Sequence, residues 1–470
     1  MKANIYKSII IILSIGLFSC SDFLDEEPRS AVSPDAFYST ENEANSAILG
    51  IYDILDAPDF HGVRGIWTFG DNAADLTRGG QSIVSKNDQQ GTYNIDPGNN
   101  TLLDFYELNY NLIMRANTAI NRIGQSTIDQ EKANEFIAEA KYLRALAYFY
   151  LVRIFGDVVL VVDEPNEIEN FARTPVDQVY ELIVADLQEA ETNLPDKLDM
   201  ERASMWAAKA LLAKIYLTMG RNEAAAQKSA EVINSGKFDL HPMYNEVFRP
   251  ENNTLTEEIL FAVSQGPARR SIIIDFLTPA QISAYGAVEA EDTLFNFSSY
   301  EDGDLRRDMT IYRDSVFYNG EWVELNDGNI YFLKFAEEHI IDGLPEGQSG
   351  FFNYPVLRYA DVLLIHAEAL NETNNGPTVD AYNSIDEVRA RAGLPSLSQD
   401  KDYESFRETI LQERKVEFVL EGQRWFDLKR MGKLQEVLSF YEEWRPLFEI
   451  FPIPEAAIIA NDQLTQTDGY

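Results

Sequence analysis

The sequence predicts a mainly α-helical protein: paired helices form a tetratricopeptide-like scaffold, interrupted by long irregular loop regions with few short strands. Apolar residues from Phe136 to Ile154 recur every three or four positions, which is the period of one helix face. Two such helices flank a turn at Gly220 in the unit from 204 to 236, as in a helical repeat. Residues 61–100 and 237–353 are instead rich in Gly, Asn, Asp, Ser and Pro, which is typical of loops.

The first nineteen residues are typical of a secretory signal peptide. Lys2 and Lys7 come before an apolar run over 9–18, and that run is too short for a bilayer, which needs roughly 20 apolar residues. The four residues ending at Cys20 resemble a bacterial lipobox. We therefore predict that residues 1–19 are removed and that Cys20, the only cysteine, receives a lipid such as palmitate. Ordinary cleavage beside an incidental thiol is the alternative.

Residues 20–40 are predicted to form a lipidated tether and N-terminal segment. The acidic stretch Ser21–Glu27 resembles the surface-export signal of Bacteroidetes lipoproteins. It favours an outer-membrane location, lipid-anchored and facing the cell exterior. A merely solvated tether is compatible with the same residues.

Composition restricts the kind of partner. Removing residues 1–19 leaves 451 of the 470 residues and, because Lys2 and Lys7 are lost, changes the formal net charge from −38 to −40. Nucleic-acid binding depends on basic patches that release counterions, so this charge argues against it. A neutral ligand chosen by shape and stacking fits better, and the chain is rich in aromatics, with 23 Tyr, 27 Phe and 5 Trp.

The predicted helices follow in chain order. Gly156-Asp157 ends the helix that contains Phe136. Thr174 is expected to cap the next one, with Pro175 in its first turn, and this helix continues to about Thr192.

The unit Ser204–Gly236 is the clearest helical pair. Four of its residues have the relative spacing of positions 7, 8, 11 and 20 of a tetratricopeptide repeat: Leu212, Ala213, Tyr216 and Ala225. Three others depart from the repeat: Lys209, Ser229 and Lys237. The match is therefore partial.

A second pair is predicted between Tyr359 and Gly393. One helix ends at Asn371 and the next spans 379–392. A further helix is expected from Tyr403 to about Leu420, ended by Gly422. We therefore predict one domain over 41–470, with its scaffold mainly in 101–236 and 354–440 and ligand loops in 61–100 and 237–353.

Four blocks carry a resemblance to a known family: Ala140–Asp157, Asn353–Glu372, Glu413–Arg430 and Pro452–Tyr470. The four blocks follow one another in this order after a lipobox-like motif. Together they make the chain resemble the SusD/RagB family of outer-membrane nutrient-binding lipoproteins. The resemblance implies that the helical scaffold packs on a SusC-like TonB-dependent transporter. It also implies a ligand held in the loops, most often a carbohydrate and in some relatives a peptide.

The residues of these blocks suit structural roles. Polar-tipped residues within an apolar helix face usually satisfy buried groups between helices, and this applies to Tyr142, Arg144, Tyr148 and Arg153. A second set has spacings that favour an internal charge network over packed Trp425 and Phe426: Glu413, Arg414, Glu417 and Arg424.

The candidate ligand-binding residues lie in the two loop regions. Glycans are bound by aromatic faces together with planar amide, carboxylate and guanidinium groups. The first region supplies Trp67, Asp71, Asn72 and Arg78, and the second supplies Tyr285, Tyr300, Arg306 and Trp322. The alternative for both tryptophans is that they anchor long loops to the scaffold.

No catalytic motif stands out in the sequence. The four histidines are isolated, and the sequence contains no Gly-x-Ser-x-Gly elbow and no Gly-rich phosphate loop. We expect no enzyme activity, no metal and no cofactor. The turns at 302–304 and 326–329 could hold Ca²⁺, but neither matches the EF-hand register. Three functions stay open: glycan binding with a transporter, peptide binding on the same scaffold, and surface glycoside hydrolysis.

Overall fold

The computed structural model describes residues 38–61, 65–79, 91, 93, 95–164, 171–249, 257–264, 277–282, 286, 288–318, 320–335 and 353–470. The predicted signal peptide and Cys20 lie outside the described residues, and so does Tyr285.

Helices make up most of the described secondary structure, which confirms the mainly α-helical prediction. They are α1 Glu41–Leu55, α2 Asn100–Gly124, α3 Gln130–Phe155, α4 Val176–Asn193, α5 Met205–Thr218, α6 Asn222–Ile233, α7 Arg306–Thr310, α8 Tyr359–Asn374, α9 Val379–Arg391, α10 Tyr403–Glu417, α11 Arg424–Arg430, α12 Leu434–Leu438 and α13 Glu455–Ala460.

The strands are short and pair antiparallel, two at a time. They are β1 Thr77–Gly79, β2 Val158–Val159, β3 Arg173–Thr174, β4 Ile259–Ser264, β5 Val288–Ala290, β6 Ile311–Tyr312, β7 Ser315–Tyr318, β8 Glu321–Glu324, β9 Tyr331–Phe332 and β10 Asn353–Arg358. The pairs are β1–β5, β2–β3, β4–β10, β6–β9 and β7–β8.

The longer helices pack in chain order, α2 on α3, α3 on α4, α4 on α5 and α5 on α6. Helix α8 then packs on α5, α6, α9 and α10. Ala213 on α5 and Ala225 on α6 have no exposed surface, as expected where two helices approach closely. This succession of neighbouring helices is the predicted tetratricopeptide-like scaffold.

The start of α4 differs from the prediction. Thr174 does not cap this helix; it lies in β3 and pairs with Val158. The first helical N–H, that of Val176, is satisfied instead by Asp157 Oδ1 at 3.0 Å. A side chain from the preceding loop therefore performs the capping, which local sequence around 174 could not indicate.

Helix α10 ends at Glu417, three residues before the predicted end at Leu420. The carbonyl of Glu417 accepts hydrogen bonds from Tyr244 Oη at 2.8 Å, Lys334 Nζ at 3.2 Å and Arg358 Nη2 at 3.3 Å. Because side chains from other segments bind this carbonyl, it needs no following helical turn.

The structural roles predicted within α3 are confirmed for its arginines and for Tyr148. Arg144 is buried and donates to both carboxylate oxygens of Asp186, at 2.8 and 2.7 Å. Tyr148 Oη donates to the carbonyl of Val161 at 3.0 Å. Arg153 stacks between the rings of Phe149 and Phe426, with its guanidinium carbon 3.9 Å from each centroid. These contacts fix α3 to its neighbours.

Within the described ranges, no helix combines the length and apolarity needed to cross a bilayer.

Candidate functional site

A buried network of charged residues joins the second loop region to α10, which confirms the network predicted around Glu413 and Glu417. Arg306 has no exposed surface and contacts Asp304 at 2.8 Å, Glu413 at 2.6 Å and Glu417 at 2.9 Å. Arg358 contacts Glu258 and Glu421, each at 2.7 Å.

Arg306 was expected to bind ligand, and its complete burial among these carboxylates corrects that expectation. Its guanidinium balances acidic side chains within the protein. Asp304, one of the two acidic residues in the 302–304 turn, is bound by the same guanidinium.

Electrostatics explains why the buried carboxylate of Glu417 stays ionised. Burial by itself would raise the pKa of Glu417, but the guanidinium groups of Arg391, Arg358 and Arg306 hold it well below its usual range. The pKa of Asp361 is lowered in the same way, against the effect of burial, by Lys214 and Arg414.

Trp67 lies in the core with 4% of its surface exposed. It directly precedes a π-helical turn over 68–72, which packs against α11 and approaches the backbone at Gly422. A ring buried in this way has no open face for a sugar. The structure therefore supports the alternative reading, in which Trp67 anchors the loop to the scaffold.

Asp71 and Asn72 also hold this loop in place. Asp71 Oδ2 accepts the backbone N–H of Gly422 at 2.7 Å, and Oδ1 accepts that of Arg424 at 3.2 Å. Asn72 Oδ1 accepts the hydroxyl of Thr77 at 2.9 Å. Both residues are buried, so the expectation that they contact ligand is corrected to a role in loop packing.

Tyr300 is corrected for the same reason. Its ring is buried and packs on Phe295 at 5.8 Å between centroids. Burial raises the pKa of its hydroxyl well above the usual value.

Arg78 does reach an accessible position, where it brings the two loop regions together. On β1 it pairs with Glu289 of β5, and its Nη2 lies 3.4 Å from Glu289 Oε2 and 3.3 Å from Asn329 Oδ1. Asn329 in turn donates to Glu289 Oε1 at 2.8 Å. The Arg78 side chain keeps 41% of its surface exposed, and an arginine carries five N–H donors. The exposed guanidinium of Arg78 and the partly exposed amide of Asn329 thus meet over the buried carboxylate of Glu289.

The turn that carries Asn329 is held rigidly. Asp327 Oδ2 accepts Gln281 Nε2 at 2.6 Å and Tyr331 Oη at 2.8 Å, while its Oδ1 accepts the N–H of Asn329 at 3.1 Å. Burial would raise the pKa of Asp327, but these hydrogen bonds lower it, so the carboxylate stays ionised. Asn326 has a left-handed backbone with φ of 48°, which an asparagine tolerates.

Trp322 lies on the β7–β8 hairpin that leads directly into this turn. It is 69% exposed and pairs across the hairpin with Phe317, their ring centroids 5.5 Å apart. The neighbouring pair, Val316 and Val323, is less exposed, as strand alternation requires. Gln281 Nε2 also donates to the carbonyl of Leu325 at 3.3 Å, which ties the base of the hairpin to the turn. An exposed indole therefore lies seven residues before Asn329 in the chain, on the hairpin that leads into its turn.

The partners of Arg78 were not among the candidates read from the sequence. Asn329 belongs to the 326–329 turn, which the sequence marks only as a possible Ca²⁺ turn, and Glu289 has no distinguishing signal among 77 acidic residues. Among the described residues, no group of three His, Cys, Asp or Glu side chains is arranged to hold a metal ion.

The two ends of the chain match models of one protein family. Residues 326–470 match the SusD family model, and residues 22–217 match the model described as starch-binding associating with outer membrane. SusD-like protein P2 of Formosa agariphila is 30% identical to this chain, over 99% of each sequence. The chain belongs to the SusD family. This family is associated with the outer membrane, as the second model states.

Other SusD relatives extend the comparison. The starch-binding protein SusD of Bacteroides thetaiotaomicron is 22% identical over 71% of this chain and 72% of its own. A solved laminarin-binding SusD-like protein has a TM-score of 0.79 and 27% identity, covering 92% of this chain and 100% of its own. A SusD homolog of B. thetaiotaomicron has a TM-score of 0.80 and 26% identity, covering 95% of this chain and 100% of its own.

Proposed function

We propose that this SusD-family protein binds an uncharged extracellular oligo- or polysaccharide at the surface that carries Trp322, Arg78 and Asn329, where buried Glu289 holds the Arg78 and Asn329 side chains in place. The observation that carries the proposal is the meeting of Arg78, from the first loop region, with the turn that follows Trp322 in the second. An exposed indole covers the apolar face of a sugar, and guanidinium and amide groups bind its hydroxyls.

The charges around this surface favour an uncharged glycan. Arg78 is paired with Glu289, and Arg313, which precedes the hairpin, is paired with Asp292 at 2.8 Å. The hairpin itself carries exposed Glu321 and Glu324. A sulfated or uronic glycan would meet these carboxylates and would have to break existing ion pairs. The names of the starch-binding and laminarin-binding relatives support the same class of ligand.

The cellular setting that we propose follows the sequence signals and the family. The protein is lipidated on Cys20, faces the cell exterior on the outer membrane and passes its glycan to a SusC-like TonB-dependent transporter without chemical change. The lipobox-like motif before Cys20 and the outer-membrane description of the matched family model support this setting.

The experiment is an affinity screen of the full-length protein, purified in detergent, against neutral and anionic polysaccharides. We expect micromolar to millimolar binding of at least one neutral glycan, such as laminarin or starch, and no binding of sulfated or uronic chains. Binding only of peptides or only of anionic glycans would refute the proposal. Chromatography after long incubation checks the absence of chemistry, since shortened oligosaccharides would instead indicate a hydrolase.

A further inference from the structure

A small cavity lies inside the helical scaffold, where the second half of α3 meets α5, β10 and the turn at 421–423. Its volume is about 20 Å³, which is enough for one water molecule or one small monovalent ion. Apolar side chains such as Leu211 and Val356 form much of its wall. Two cationic side chains, Arg153 and Lys214, line it as well. The cavity is therefore a small, largely apolar space with positive charge at its wall.

The guanidinium of Arg153 has no carboxylate to balance its charge. The residue is 7% exposed, lies between the rings of Phe149 and Phe426, and donates from Nε to the carbonyl of Phe149 at 3.2 Å. Among the described residues, no Asp or Glu forms an ion pair with it, and its Nη1 and Nη2 groups donate to no protein atom. Burial lowers the pKa of this guanidinium to about 10. A buried cation with unused donors thus borders the cavity.

The charged groups next to Arg153 are already matched with one another. Five ion pairs join three cations to three carboxylates: Lys214–Asp361, Arg414–Asp361, Arg414–Asp427, Arg430–Asp427 and Arg430–Glu368. The first four pairs have N···O distances of 2.9, 2.8, 2.8 and 2.8 Å. Lys429, which is also nearby, donates to the carbonyls of Arg153 and Glu449 and so brings no negative charge. Arg153 is therefore a surplus cation beside a balanced group.

Glu421 places a carboxylate at the cavity wall, but two cations already bind it. Its Oε1 lies 2.7 Å from Lys334 Nζ and 2.7 Å from Arg358 Nη2. Both of these cations are buried, so their charges act on Glu421 with little screening by water. The surroundings of the cavity are positive on balance, and a negative charge inside it would be stabilised.

We propose that this cavity binds one small monovalent anion, such as chloride, on the Nη1 and Nη2 groups of Arg153. A buried charge without a partner is costly, and an anion within hydrogen-bond distance of the guanidinium offsets that cost. Chloride is only slightly larger than a water molecule, whereas sulfate and organic carboxylates are too large for this volume. The anion stabilises the packing of α3 on α5 and β10, and this role does not depend on glycan binding.

The first test compares melting curves of the full-length protein in sodium chloride and in sodium gluconate at equal ionic strength. Gluconate cannot enter the cavity, so the comparison separates anion binding from general screening of charge. We expect the melting temperature to rise with chloride along a saturating curve and to end about 1–3 °C above its value in gluconate. Equal melting temperatures in the two salts, or a difference that grows without saturating, would overturn the proposal.

Two variants locate the effect. Val356→Leu adds one methylene at the cavity wall and leaves Arg153 in place, so the folded variant should lose the dependence on chloride. Arg307→Ala breaks an exposed ion pair with Asp308 and should keep that dependence in full. The proposal fails if Val356→Leu still responds to chloride, or if Arg307→Ala does not.

Bromide provides a test that needs no variant. It has the charge of chloride and nearly its size, and its anomalous scattering identifies it in crystals of the full-length protein soaked in sodium bromide. We expect an anomalous peak in contact with the Arg153 guanidinium. A water molecule at this position, with bromide found only at the protein surface, would refute the assignment.

Discussion

Replacing Trp322 and Trp67 separately by alanine tests the assignment of the site most directly. The two residues have the same side chain in opposite surroundings, 69% and 4% exposed. Trp322→Ala removes an exposed ring that meets Phe317 edge-on, so we expect the free energy of unfolding to change by less than about 1 kcal/mol. Trp67→Ala empties a core position, and loss of a buried tryptophan costs about 3–5 kcal/mol.

The effects on glycan binding should be the reverse. Loss of a stacking platform weakens binding by about 1–3 kcal/mol, which is about fivefold to 150-fold in Kd for Trp322→Ala. Folded Trp67→Ala should bind normally, because its ring faces the core and not the ligand.

Two measurements check this pair: denaturant unfolding followed by fluorescence, and calorimetric titration with the glycan that binds best in the screen. Trp322→Phe keeps an aromatic face and serves as the matched control, with most of the affinity retained. The reasoning is refuted if Trp67→Ala weakens binding while leaving stability unchanged, or if Trp322→Ala does not affect binding.

Further predictions concern the polar cluster and the buried network. Arg78→Ala should weaken glycan binding by about 1–3 kcal/mol in titration, with stability within about 1 kcal/mol because the side chain is half exposed. Arg358→Met should lower the free energy of unfolding by about 3–5 kcal/mol, because it leaves Glu258 and Glu421 buried without their partner. Arg307→Ala breaks an exposed ion pair and should change the free energy of unfolding by less than about 0.5 kcal/mol in the same denaturation assay. Folding lowers the pKa of Glu417, so the folded state binds fewer protons than the unfolded state and the ionised carboxylate stabilises the fold. This contribution is fully present above pH about 4.5, the ordinary pKa of a glutamate, and is lost as the pH falls from there toward the lowered pKa. Acid titration followed by circular dichroism should therefore show unfolding below pH about 4.5. Gly70→Ala should prevent folding, because the new Cβ would lie 2.2 Å from the backbone of Gly422. Gly50→Ala should be tolerated, because the nearest atom to its Cβ would be 3.8 Å away. Soluble yield and melting curves distinguish the two variants.

The helical scaffold could be read from the sequence because helix formation is governed by neighbours three and four residues apart. The apolar period around Phe136 and the end at Gly156 both predict α3 as it is observed. The partners of the buried charges were less predictable. The spacing of Glu413 and Glu417 indicated a network, but Arg306 joins it across 111 residues.

The residues that cap a helix cannot always be predicted from the sequence next to it. Thr174 has the side chain of an N-cap residue, but its backbone pairs with Val158 in the β2–β3 ladder. Asp157, 19 residues before Val176, caps α4 instead. A capping side chain is recognisable in sequence only when it is adjacent to the helix it caps.

The sequence by itself determined the helical scaffold and indicated the two regions from which a site could be built; the export signal that it predicts lies outside the described residues. Only the tertiary structure decided which of their residues face outwards. Trp67 is buried because Asp71 binds a loop 351 residues away, and Arg78 becomes part of the proposed site because Asn329, 251 residues away, lies beside it. Trp322 is exposed because strand pairing places it opposite Phe317 on the outer side of the hairpin. The physical reason is that exposure depends on contacts between distant segments, whereas residue type and local period carry information only about near neighbours.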